Sequence, residues 1–131
     1  MRKIIAFMLI GVIVFLTGCT TQPSESTYKQ INADELVEIM NKETDYIILD
    51  VRTQEEYNSG HIPRAVCIPN ESIGKEPPSL LPDKNQLILV YCRSGNRSKQ
   101  AAQKLADMGY TNIVEFGGIN DWKGDIETDN L

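Results

Sequence analysis

Five consecutive apolar residues, Leu87-Ile88-Leu89-Val90-Tyr91, run straight into Cys92 and the polar loop Arg93-Ser94-Gly95-Asn96-Arg97. A run this short and this apolar reads as a buried strand. From Ser98 the chain continues Lys99-Gln100-Ala101-Ala102-Gln103-Lys104-Leu105, a strong helix former. Strand, loop and helix in that order aim backbone N–H groups and the positive end of a helix dipole at one sulfur atom. Such a setting favours the thiolate, the nucleophilic form of cysteine. The stretch therefore predicts a reactive Cys92 cradled in an anion-binding loop.

The other segments supply a scaffold around that unit. Tyr28 to Ile31 reads as a short first strand. Asn32 and Glu35 have capping-box spacing, with Ile31 and Leu36 placed for a hydrophobic staple. Leu36, Val37, Ile39 and Met40 give the following helix a broad apolar side. Tyr46-Ile47-Ile48-Leu49 is a buried-strand pattern ending at Asp50-Val51-Arg52, and Thr53 with Glu56 opens a short helix that closes at Ser59-Gly60. A short strand is expected around Val66-Cys67-Ile68. Pro77, Pro78 and Pro82 forbid a long helix between Asn70 and Asp83. The helix from Ser98, with Ser98 as its cap, ends at Gly109. Asn112 to Phe116 makes a last strand before Gly117-Gly118. Strands alternating with helices imply an α/β fold with a mostly parallel sheet, in which function sits at the carboxyl ends of strands. Asp50, Arg52 and Cys92 all lie at such ends and are expected to share one pocket.

The chain of 131 residues holds one domain at most. Its net charge of −5 argues against nucleic acid as a partner. Cys19, Cys67 and Cys92, with one His, are too few for a disulfide framework or a zinc cluster, so no metal is expected. Met1-Arg2-Lys3 and the thirteen almost wholly apolar residues Ile4 to Leu16 fit a signal-peptide core, being short of the roughly 20 residues of a membrane span. Leu16-Thr17-Gly18-Cys19 resembles the lipobox of bacterial lipoproteins. That resemblance implies a signal peptide over residues 1–18, cleavage before Cys19, and a lipidated, palmitate-bearing Cys19 at the new terminus. Residues 19–27 would then be a flexible tether, and residues 28–131 the folded domain. The expected location is extracytoplasmic, anchored to the bacterial cell membrane, with the charge falling to −7 once Arg2 and Lys3 are removed. An uncleaved signal anchor or a plain secretory signal is the competing reading of this leader.

Three stretches together resemble the rhodanese (sulfurtransferase) family: Asp50-Val51-Arg52-Thr53 with Glu56-Tyr57 and Gly60-His61-Ile62-Pro63-Arg64-Ala65; Cys92-Arg93-Ser94-Gly95-Asn96-Arg97-Ser98; and Gly117-Gly118-Ile119 with Trp122. The likeness spans Tyr28 to about Lys123. One departure is Cys67, where many relatives carry Asn. The resemblance implies a three-layer α/β/α fold around a five-stranded, mostly parallel sheet, in a single-domain member read as a monomer. It also implies a ping-pong cycle with no cofactor: the Cys92 thiolate takes the outer sulfur of a small anionic donor such as thiosulfate, and a thiol or cyanide acceptor removes it.

The remaining residues take roles around that cycle. Backbone N–H groups from Arg93 to Arg97 would bind the persulfide, with Gly95 permitting the twist; Arg97 closes the loop, and it or Arg93 attracts an anionic donor. Ser98 caps the helix in this reading. Asp50 is architectural, with Arg52 or a loop arginine as its partner, and His61 makes a structural hydrogen bond rather than a Cys–His dyad. A phosphatase or arsenate reductase is the rival enzyme, but phosphatases sharing this fold place five residues between Cys and Arg, where Cys92 and Arg97 enclose four. A thiol–disulfide protein using Cys67 and a non-catalytic binding module also compete with the sulfurtransferase.

Overall fold

The computed structural model describes Gly18 and residues 27–129. The leader, Cys19 and most of the tether lie outside the described residues. The elements run β1 (Lys29–Gln30), α1 (Ala33–Lys42), β2 (Tyr46–Asp50), α2 (Gln54–Ser59), β3 (Val66–Cys67), β4 (Leu87–Cys92), α3 (Asn96–Asp107) and β5 (Ile113–Gly118). Single turns of 3-10 helix follow β3 and β5. The strands form one five-stranded sheet in the order β1-β5-β4-β2-β3, and every neighbouring pair is parallel.

Both expected capping boxes are present. Asn32 accepts from the Glu35 N–H while Glu35 accepts from the Asn32 N–H, and Thr53 and Glu56 reciprocate in the same way. The apolar side of α1 is narrower than its sequence implies: Leu36 is buried, but Val37 is 47% exposed. One turn of a helix cannot bring adjacent positions onto the same stripe.

Period-2 alternation along β4 divides the core. Ile88, Val90 and Cys92 face α3, packing with Ala101, Ala102 and Leu105, whereas Leu89 and Tyr91 face the layer holding Leu36 and Tyr57. The small residues of α3 let it lie close against β4 and β5. The result is a three-layer α/β/α arrangement, with the sheet buried on both sides as parallel sheets require.

The same alternation corrects the expected common pocket. Leu49 and Val51 pack on the α3 side, so Asp50 between them points to the opposite face, beside Tyr91. Arg52 folds back onto Asp50 there, with Nη2–Oδ2 at 2.6 Å and Nε–Oδ1 at 3.0 Å. Its Nη2 also donates to the Gly60 carbonyl at 2.7 Å, and its guanidinium lies 5.7 Å from the Tyr91 ring centroid. The Tyr91 hydroxyl accepts from the Ile62 N–H at 3.1 Å. Asp50 and Arg52 thus tie the end of β2 to the turn after α2, on the sheet face away from the Cys92 sulfur. His61 stacks on Tyr57 with ring centroids 3.8 Å apart and bonds its carbonyl through Nδ1 at 2.9 Å.

Removing one partner of a buried pair strands the other. Asp50→Ala should therefore cost about 3–5 kcal/mol in urea unfolding, and Asp50→Leu combined with Arg52→Met should cost less. A loss below about 1 kcal/mol for Asp50→Ala, the value of a surface pair, would contradict this role.

Candidate active site

Cys92 is the last residue of β4, and its side chain is 1% exposed. The loop that follows is tight because Gly95 adopts φ +117°, a conformation that a β-carbon resists. This turn carries the Gly95 N–H back to the sulfur, 3.0 Å from Sγ. The loop is also pressed against β5. Gly118 pairs with Cys92 across the sheet, and a β-carbon there would overlap the Arg93 carbonyl. The Arg93 carbonyl instead accepts from the Asn120 N–H at 3.3 Å.

Helix α3 begins at Asn96, two residues earlier than the sequence implies, with Gly95 as its N-cap. Ser98 is therefore not the cap. It lies inside the first turn, fully buried, with its hydroxyl 3.4 Å from Cys92 Sγ. The first turn of the helix opens onto the thiol, so its unpaired N–H groups and dipole act there. Burial by itself pushes the Cys92 thiol up. Hydrogen bonds that the thiolate receives from the Ser98 side chain and the backbone N–H groups of Ser98, Gly95 and Ser94 outweigh it and hold the thiol below its ordinary value. A buried cysteine whose thiolate is favoured can act as a nucleophile, and the same donors can hold a negative atom attached to it.

The two arginines of the loop are disposed differently from each other. Arg93, Ser94 and Asn96 are exposed. Arg97 is engaged by Glu56 in a bidentate pair, Nη1–Oε2 at 2.7 Å and Nη2–Oε1 at 3.1 Å. Its guanidinium thus fastens the start of α3 to α2 rather than serving as a free anion ligand. Cys67 pairs in register with Asp50, on the face opposite Cys92. Its Sγ is 3.6 Å from the Arg52 carbonyl, and burial and then Asp50 push its thiol up to about 11. Among the described residues no cluster of His, Cys, Asp and Glu could hold a metal ion.

Two residues that sequence reasoning does not assign to the site belong to its surroundings. Glu56, read from sequence only as a helix cap and as part of the first family stretch, is one. Glu115 is the other: it is 2% exposed in the middle of β5, and its Oε1 accepts from Ser98 Oγ at 2.6 Å and from the Gly117 N–H at 2.8 Å. The signal for Glu115 is a carboxylate inside the apolar run Ile113-Val114-Glu115-Phe116.

Residues 32–125 match the family model described as a rhodanese-like domain. The chain is 38% identical over 73 residues to a protein named thiosulfate sulfurtransferase PspE from Escherichia coli, covering 56% of this chain and 70% of that one. It is 35% identical over 97 residues to thiosulfate sulfurtransferase GlpE from Coxiella burnetii, covering 73% and 88%. Among solved structures, one titled rhodanese with anions from E. coli superposes with a TM-score of 0.59 at 34% identity, covering 63% of this chain and 98% of that one. The chain spans less than a third of the fungal adenylyltransferase and sulfurtransferase relatives it also matches.

The Arg97–Glu56 pair makes a pH-dependent contribution. Arg97, and to a lesser degree the Thr53 N–H, draw the Glu56 carboxyl down to about 2 against burial. Because the folded value lies below the ordinary one, the stabilisation is complete above about pH 4.5 and is lost as pH falls toward 2. Glu56→Gln should cost about 1 kcal/mol at neutral pH, or roughly 4–8 °C in melting temperature. The gap from wild type should narrow through that acid window. A gap that is constant with pH would contradict the assignment.

Proposed function

The chain belongs to the rhodanese-like domain family, and from that premise we propose that it is a sulfurtransferase that carries sulfane sulfur as a persulfide on Cys92. The observation that carries this reading is the Gly95 N–H held 3.0 Å from a buried Sγ at the first turn of α3. The Cys92 thiolate attacks the outer sulfur of a small anionic donor such as thiosulfate. The donor S–S bond breaks, sulfite leaves with the electron pair, and Cys92 bears a terminal S⁻. Loop N–H groups stabilise that atom. A thiolate or cyanide then attacks the terminal sulfur, the Cys–S bond to it breaks, and the Cys92 thiolate is regenerated.

The phosphatase reading is weaker on two counts. Four residues between Cys92 and Arg97 make a smaller cup than five. Arg97, the side chain such an enzyme would turn on an oxyanion, is engaged by Glu56. A dithiol role is disfavoured by the high value of the Cys67 thiol and its place on the other face of the sheet. The leader and Cys19 support a lipid-anchored, extracytoplasmic protein, which would meet small donors and thiols outside the cytoplasm.

Mass spectrometry tests both parts. Wild type treated with thiosulfate should gain one sulfur atom, Cys67→Ala should gain it as well, and Cys92→Ser should not. Hydrolysis of a phosphate ester without sulfur uptake would sink the sulfurtransferase reading. In protein taken from bacterial membranes, the amino-terminal peptide should begin at an acylated Cys19; an intact Met1 terminus would refute the anchor.

A further inference from the structure

Ser98 sits between two groups of opposite use. Its hydroxyl carries one proton and has three oxygen acceptors within reach: Glu115 Oε1 at 2.6 Å, the Gly95 carbonyl at 2.9 Å and the Gly117 carbonyl at 3.2 Å. The bond to Glu115 is the shortest. On its other side the hydroxyl lies 3.4 Å from Cys92 Sγ, placed to accept the thiol proton. The three side chains form a continuous chain, Cys92 to Ser98 to Glu115, and each is at most 2% exposed.

Among the described residues Glu115 has no cationic partner to explain its burial: no Lys, Arg or His nitrogen pairs with it. The charged groups that share its cleft are Asp34 on α1, Lys99 on α3, and Asp121 and Lys123 beyond β5, while Arg97 on the same helix turn is held by Glu56. A buried carboxylate costs free energy, and a thiolate formed one hydroxyl away would put a second negative charge beside it. Two like charges in one site favour sharing a proton.

We propose that Glu115, acting through the Ser98 hydroxyl, takes up the proton that Cys92 releases on becoming a thiolate. The Cys92 S–H bond breaks and that proton binds Ser98 Oγ; the original Ser98 O–H bond breaks and its proton binds Glu115. The negative charge moves from carboxylate to sulfur, and the buried site carries one charge throughout. After sulfur leaves for the acceptor, the reverse transfer can return the proton to Cys92. Glu115 is a positioning residue in this scheme, since it meets the reacting sulfur only through Ser98. The inference rests on Cys92 being the nucleophile.

The test is the pH dependence of Cys92 alkylation by iodoacetamide in the full-length chain, with Cys67→Ala as background. A proton shared by two coupled groups leaves in two macroscopic steps. The rate in this background should therefore rise, hold a plateau of partial reactivity, and rise again; adding Glu115→Gln should leave a single step. A single step with Glu115 present, or two steps that survive Glu115→Gln, overturns the proposal. If Glu115→Gln does not fold, infrared spectra decide: at the plateau pH a protonated-carboxyl stretch should be present in wild type and missing from Cys92→Ser, and equal bands overturn it. Alkylation is read without a sulfur donor. A protein with the two-step profile but no persulfide would sink the sulfurtransferase reading and leave the relay standing.

Discussion

The contact between the Gly95 N–H and the Cys92 sulfur is the interaction on which the site depends. It exists because β4 ends at Cys92 and Gly95 turns through a left-handed conformation into α3. Any residue with a β-carbon at position 95 would strain that turn, and one at position 118 would push the loop off the sheet. Two glycines distant in sequence therefore define one cup. Its donors are backbone groups joined by the Ser98 hydroxyl, fixed by the fold before any substrate arrives, which is what makes them effective toward a charge that develops there.

The sheet separates two tasks. On the face toward α1 and α2, Asp50, Arg52 and Tyr91 hold the ends of β2 and β4 to the turn at Gly60 and Ile62. On the face toward α3, Cys92, Ser98 and Glu115 form the polar chain behind the nucleophile. Asp50 and Cys92 stand at strand ends, where backbone pairing stops and side chains must finish the hydrogen bonding, whereas Glu115 lies inside β5 and meets Ser98 from the first turn of α3. The Arg97–Glu56 pair joins the loop to α2 from outside. A helix-capping residue thereby also fixes the mouth of the site.

Local patterns in the sequence are enough for most of the architecture. The capping boxes at Asn32 and Thr53 and the apolar runs in β2 and β4 place their elements correctly, because each signal is satisfied within a few residues. The nucleophile is legible for the same reason, as strand, loop and helix are contiguous. What cannot be read depends on contacts between distant segments. Asp50 and Cys92 both end strands, yet face opposite ways, which follows from register and not from being at a strand end. Arg97 resembles an anion ligand until Glu56, forty-one positions away, is brought to it. Ser98 has the composition of a cap, but the twist at Gly95 starts the helix earlier and turns its hydroxyl inward.

The most direct measurement of the central claim is a crystal structure of the protein after exposure to thiosulfate. A cup built for one sulfur should show a single added atom bonded to Cys92 Sγ, within hydrogen-bond distance of the loop N–H groups, with Arg97 still paired to Glu56. An unmodified Cys92 beneath a tetrahedral anion, with Arg97 swung away from Glu56 to bind it, would contradict the account.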